Sequence, residues 1–157
     1  MENWHLAHGF RYAGVHCGIR PDPDRLDLAL IASDRPAAAA GVFTQNRVCA
    51  APVHVCRERL PSAAVRGIVV CSGNANACTG AQGFADACHM TELAGAALGV
   101  PAGQMQMLVC STGVIGRPLP MDAIISYGPS LSPETSVILS NKSSARQRPA
   151  KSRLLWH

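Results

Sequence analysis

Two runs of small, turn-forming residues, each leaving the end of an apolar stretch, constrain this chain more than any other feature. They are Cys71-Ser72-Gly73-Asn74-Ala75-Asn76-Ala77-Cys78-Thr79-Gly80 and Ser111-Thr112-Gly113-Val114-Ile115-Gly116. The apolar stretches Gly67-Ile68-Val69-Val70-Cys71 and Met105-Gln106-Met107-Leu108-Val109-Cys110 read as strands. Gly, Asn, Ser and Thr tolerate unusual backbone angles and leave amide groups free for other partners. Two such strand ends in one small domain point to a site. Between them, Ala81 to Leu98 reads as a helix with Phe84, Ala87, Cys88, Leu93, Ala94, Ala97 and Leu98 on its apolar face. Asp86 and Glu92 fall on its wet side, Met90 reads as packing, and Gly99 and Pro101 stop it. The unit is strand, loop, helix, strand, which places the chain among mixed α/β folds.

Upstream, Leu26 to Ala32 reads as a strand bounded by the turns Pro21-Asp22-Pro23-Asp24 and Ser33-Asp34-Arg35-Pro36. Ala38 to Phe43 is expected to pair with it, and Thr44-Gln45-Asn46-Arg47 supplies a polar turn. Ala51 to Cys56 reads as another strand, with Pro52 at its start or on an edge. On that reading His54, alternating with Val53 and Val55, is a surface residue of a strand rather than a ligand or base.

A chain of 157 residues suffices for one domain with a real core. Although 48% of its residues are apolar, none of its runs approaches the roughly twenty uninterrupted apolar residues of a membrane span. Met1-Glu2-Asn3-Trp4-His5 has neither the basic and apolar regions of a secretion signal nor the character of a transit peptide, so a cytoplasmic protein is expected. The seven cysteines are odd in number and contain no C-x-x-C pair, which argues against a disulfide framework and against zinc. Cys71, Cys88 and Cys110 lie in apolar runs, where a thiol packs as a small hydrophobe. Cys88 and His89 are neighbours on a helix, point about 100° apart and cannot face each other as nucleophile and base.

Charge divides unevenly. Up to Glu134 the chain has nine Arg and ten acidic residues, a net of −1, whereas 135–157 holds five basic residues and no acidic one. Lys142, Arg146, Arg148, Lys151 and Arg153 have one aromatic neighbour, Trp156, and no docking element, so the expectation is a solvated, poorly ordered tail rather than a nucleic-acid site.

Acyl transfer through a hydroxyl nucleophile passes through a tetrahedral intermediate whose oxyanion needs preorganised donors. Thr112-Gly113 suits that need: glycine lets its amide approach an oxygen unobstructed, and the threonine hydroxyl adds a second donor. Ser-Thr-Gly after a strand is also a common turn. The Gly73–Gly83 loop reads either as a tight path from strand to helix, with Asn74 and Asn76 bonding their own backbone, or as an anion site at a helix start. Its spacing fits neither G-x-G-x-x-G nor the P-loop, and no Lys follows it.

Both runs resemble the ornithine acetyltransferase (glutamate N-acetyltransferase) family of arginine biosynthesis. So do Gly9-Phe10, Leu26-Asp27-Leu28-Ala29-Leu30-Ile31, Ala40-Gly41-Val42-Phe43-Thr44-Gln45-Asn46-Arg47, Ala50-Ala51-Pro52-Val53 and Leu119-Pro120-Met121-Asp122, in that family's order. The resemblance runs from about Gly9 to Ile124. It implies the amino-terminal half of an amino-terminal-threonine acyltransferase fold (DmpA/ornithine acetyltransferase-like), a mixed sheet with packed helices. It assigns Thr112 and Gly113 to the oxyanion hole and makes the Gly73 loop a wall of the site. It implies no cofactor, and as substrates N-acetylornithine and glutamate, with acetyl-CoA as a donor in some members. In that family the nucleophile is a threonine that opens a second chain after a Lys-Gly-Ser-Gly-Met-like stretch. No such stretch follows Gly116, and Val137-Ile138-Leu139-Ser140-Asn141-Lys142 stands where a substrate-binding Thr-Thr-Asp-Thr-like segment is expected. The expectation is a family-like domain over 1–125 with a divergent basic tail over 126–157, inactive alone and paired with a threonine-bearing β-chain or a full-length homologue. The other readings are a non-catalytic binding or regulatory module that pairs with such an enzyme, and a small nucleotide-binding domain resting on the Gly73 loop alone.

Overall fold

Burial alternates along strand β3 (Ser62–Asn74): Val65, Gly67, Val69 and Cys71 are buried while the residues between them are only partly covered. That period of two is what a strand produces when one of its faces meets a core. A computed structural model describes residues 7–104 and 106–131. In it, β3 is an inner strand of a four-stranded sheet ordered β1 (Phe10–Val15), β2 (Leu28–Ala39), β3 and β4 (Met107–Val114). The first two pairings are antiparallel and β3–β4 is parallel. The parallel pair requires a crossover, and α2 (Gly80–Ala97) supplies it. The family-implied architecture, a mixed sheet with packed helices, is the one observed.

Strand β1 has no counterpart among the sequence expectations. The expected strand at 26–32 forms part of β2, but Ala38 and Ala39 continue that same strand instead of returning beside it, and its partners are β1 and β3. Residues 40–46 form no strand.

Ala51–Arg59 is a helix, α1, and not a strand. A short apolar run with a proline near its start suits either element. Pro52 falls in the first turn, where its missing N–H costs nothing, and Arg57 and Arg59 sit in the last turn, where the helix dipole favours them. Ala51, Pro52, Val55 and Cys56 make the buried side, and the Cys56 thiol donates to the Val109 carbonyl at 3.2 Å. His54 is therefore an exposed helix residue, not a member of a strand.

The expected helix at 81–98 is α2, yet the face it buries is rotated. Gly83, Asp86, Ala87, Met90, Thr91, Ala94 and Gly95 face inward, and Asp86, expected on the wet side, is buried. Small residues let this helix lie close to the sheet, and the Asp86 carboxylate is satisfied one turn back by Gln82 at 2.7 Å. Cys110, expected in the core, is exposed, since burial along β4 covers Met107, Leu108 and Val109 and ends there. Helix α3 (Met121–Tyr127) and a 3-10 turn (Gly128–Leu131) bury Ile124 and Leu131 against the same core, so ordered packing crosses residue 125. The greater part of the expected tail, 132–157, lies outside the described residues. Among the described residues, no helix is long and apolar enough to cross a membrane.

Candidate functional site

The two singled-out loops lie side by side. In the parallel pairing Cys71, Ser72 and Gly73 stand opposite Ser111, Thr112 and Gly113, and β2 and β1 extend that row through Leu28 to Val15. The carboxyl ends of β3 and β4, the start of α2 and the 16–27 loop therefore converge at one end of the sheet. Gly113 has φ +135°, and a Cβ built there would lie 2.6 Å from the Asn74 nitrogen and closer still to the Gly73 carbonyl group. No side chain fits in that space. Thr112 and Gly113 are both exposed, so this backbone, held rigidly from behind, faces solvent in front.

The wall behind it is stitched by two buried asparagines. Asn74 donates from its amide nitrogen to the carbonyls of Arg117 (3.1 Å) and Pro118 (2.9 Å) and accepts from the Asn76 N–H (2.8 Å). Asn76 donates to the Gly83 carbonyl (2.7 Å) and accepts from the Thr79 hydroxyl (2.7 Å). Ala75 N–H reaches the Val114 carbonyl, and Gly116 N–H the Ala77 carbonyl, so each loop clamps the other. One expected local contact is present, Asn76 N–H to the Asn74 side chain. The other Asn76 side-chain bonds stay within the Gly73–Gly83 loop, whereas both Asn74 donations reach another segment, Arg117 and Pro118. The side chains of Asn74 and Asn76 are consumed by these bonds, and the Arg20 guanidinium donates to Ser72 at the head of the run.

Sequence reasoning missed the support on the other side, Asp27. Its side chain is buried and accepts from the backbone N–H groups of Cys17 (2.7 Å) and Arg20 (2.9 Å), with His16 Nδ1 at 3.2 Å. Its own carbonyl accepts from Ser72 N–H at 2.8 Å. Arg20 then reaches over β3, donating to the Ser72 carbonyl (3.1 Å) and hydroxyl (2.7 Å), with its stem packed on Gly73. An Asp preceding a strand has no sequence signal for such a role, since its partners come from a loop ten residues away and from β3. Burial pushes the Cys71 thiol up to about 11, and burial together with the neighbouring Asp27 charge pushes Cys17 higher still, so both are neutral packing groups at ordinary pH. The Ser111 hydroxyl is buried with no hydrogen-bond partner among the described residues.

Thr112 and Gly113 lie side by side and exposed at this end of the sheet. Among the described residues, no cluster of three or more His, Cys, Asp or Glu side chains is arranged to hold a metal ion.

Residues 11–148 match the ArgJ family. Over 123 residues the chain is 54% identical to the arginine biosynthesis bifunctional protein ArgJ of Geobacter sulfurreducens, a stretch that is 78% of this chain and 30% of that protein. The structure is similar to the crystal structure of the arginine biosynthesis bifunctional protein ArgJ from Bacillus halodurans, with TM-score 0.74 and 39% identity over 81% of this chain and 65% of that one. It is also similar to the ornithine acetyltransferase of Mycobacterium tuberculosis solved in complex with ornithine, with TM-score 0.71 and 39% identity over 83% of this chain and 74% of that one. The chain thus spans about 30% of the length of the curated relatives it matches.

Proposed function

The chain belongs to the ArgJ family, and from that premise we propose that its Thr112-Gly113 strand end supplies the oxyanion donors for acetyl transfer from N-acetylornithine to glutamate. The resemblance makes the nucleophile the threonine that opens a second chain. That hydroxyl attacks the acetyl carbonyl, the Thr112 hydroxyl and Gly113 amide take up the charge developing on oxygen, and ornithine leaves. Glutamate then accepts the acetyl group from the threonine ester through a second tetrahedral state held by the same donors. The complex of the Mycobacterium tuberculosis relative with ornithine supports the substrate class. Acetyl-CoA is a further donor on this reading.

One observation carries the assignment: Gly113 is held at φ +135° with no room for a side chain, directly beside an exposed threonine. Donors that need not reorganise during reaction are what an oxyanion site requires. The threonine-bearing chain, or a full-length homologue, is the partner this reading needs. Val114 and Ile115, 53% and 67% exposed just past Gly113, offer it apolar surface at the edge of the sheet. That surface also favours a second reading, in which the chain binds such a partner without contributing to catalysis.

The test is co-expression with a second chain beginning at the family's nucleophilic threonine, followed by assay of acetyl transfer from N-acetylornithine to glutamate. Activity that Thr112→Ala abolishes while the complex still forms supports the catalytic reading. A complex with the same activity in both proteins overturns it in favour of the binding module.

A further inference from the structure

Away from the strand ends, the segment before α1 folds into an open pocket of about 610 Å³ whose lining includes Phe43, Arg47, Cys49, His54 and Arg57. A volume of this order suits a small organic ligand. Inside it the Cys49 sulfur lies 3.2 Å from His54 Nε2. Helix α1 holds the imidazole, and short local bonds shape the loop that carries the thiol. Asn46 N–H donates to the Thr44 hydroxyl (3.2 Å) and Val48 N–H to the Asn46 side chain (3.0 Å). Arg57 donates to the Thr44 carbonyl (2.8 Å), and its guanidinium lies over the Phe43 ring at 5.6 Å. No described carboxylate lines the pocket, so its charge comes from Arg47 and Arg57.

We propose that Cys49 and His54 form a thiol–disulfide exchange site that takes small disulfides bearing carboxylates. With its proton on Nδ1, His54 accepts the Cys49 proton at Nε2. The thiolate attacks one sulfur of the ligand, forming a bond between Cys49 and that sulfur as the ligand's own S–S bond breaks. The departing thiolate takes the proton from His54 and leaves as a thiol. Cys49 is oxidised to a mixed disulfide and one half of the ligand is reduced, so the disulfide itself is the oxidant and no other is needed. The arginines draw carboxylates to the pocket and disfavour a cationic disulfide.

The chain offers its own control. Cys78 is exposed, while Cys49 is only half-exposed, so if access alone governed reaction Cys78 would lead. The experiment treats the reduced full chain with oxidised glutathione, or with the dicationic disulfide cystamine, and follows each cysteine by intact mass and peptide mapping. The expected result is Cys49 modified about tenfold faster than Cys78, and faster with oxidised glutathione than with cystamine. His54→Gln is expected to bring the Cys49 rate down by about tenfold, with the Cys78 rate unchanged as the check that the fold is intact. Cys49 reacting no faster than Cys78, an unchanged Cys49 rate in His54→Gln, or equal preference for cystamine would each overturn the proposal. The readout is a thiol mass shift, so it is independent of acetyl transfer.

Discussion

Gly113 approaches Gly73 across the parallel strands so closely that a Cβ on Gly113 would clash with the Gly73 carbonyl carbon and oxygen and lie 2.6 Å from the Asn74 nitrogen. Backbone packed on backbone is the most rigid support a loop can have, because no side-chain rotamer change can relieve an intrusion. The exposed strand end at Thr112 takes its position from this contact.

Replacing Gly113 by Ala therefore combines a steric clash with a positive φ. The expected loss of folding stability is about 3 kcal/mol or more. Gly18→Ala, with φ +84° but open space around it, is expected to cost only about 1 kcal/mol. Urea unfolding of both variants checks the difference, and equal losses would mean the close approach is unimportant.

Thr112 behaves differently on this account. Its side chain is exposed, so Thr112→Ala is expected to leave stability within about 0.5 kcal/mol of the parent. In the two-chain acetyl-transfer assay the same change is expected to lower kcat by about a hundredfold or more, the usual effect of losing one oxyanion donor. Thr112→Ser, which keeps the hydroxyl, should recover most of the rate.

Asp27→Asn tests the buried carboxylate. An amide offers one acceptor oxygen in place of two and turns N–H toward N–H, so the amide of either Cys17 or Arg20 loses its partner. The expected cost is about 2–3 kcal/mol. Asp34→Asn, at the exposed pair with Arg11, is expected to change stability by less than about 1 kcal/mol. Denaturation midpoints measured side by side separate the two cases.

Alkaline pH should expose the buried thiols. Cys71 is raised by burial from its ordinary 9.0 to about 11, so between those values the unfolded chain releases this proton while the native chain keeps it. The unfolded state then binds fewer protons, and stability falls as pH rises. The contribution is fully present below pH 9 and declines by roughly 2–3 kcal/mol by pH 11. Cys17 adds to the decline in the same direction. Unfolding under reducing conditions across this range should show a shallower decline in Cys71→Ala than in the parent, and identical slopes would refute the assignment to Cys71.

What the chain alone determined is mostly local. The strand, loop, helix, strand order around Gly73 and Gly113 could be read because apolar runs of strand length, a long helical stretch and small turn-forming residues are each written in adjacent positions. The family resemblance could be read for the same reason, since its motifs are contiguous. What only the tertiary structure decided depends on partners distant in sequence. Ala51–Arg59 became a helix because packing on β4 and α2 chose between two elements its short apolar run allowed equally. Asp86 is buried because α2 turns its small residues to the sheet, and Cys110 is exposed because the core's cover of β4 ends at Val109. Asp27 takes its place from Cys17, Arg20 and Ser72, and His54 lies beside Cys49 because Ala51–Arg59 is helical. Periodicity reports which face of an element is buried, but the group that meets a buried carboxylate or thiol is set by the closure of loops, whose contacts leave no period in the sequence.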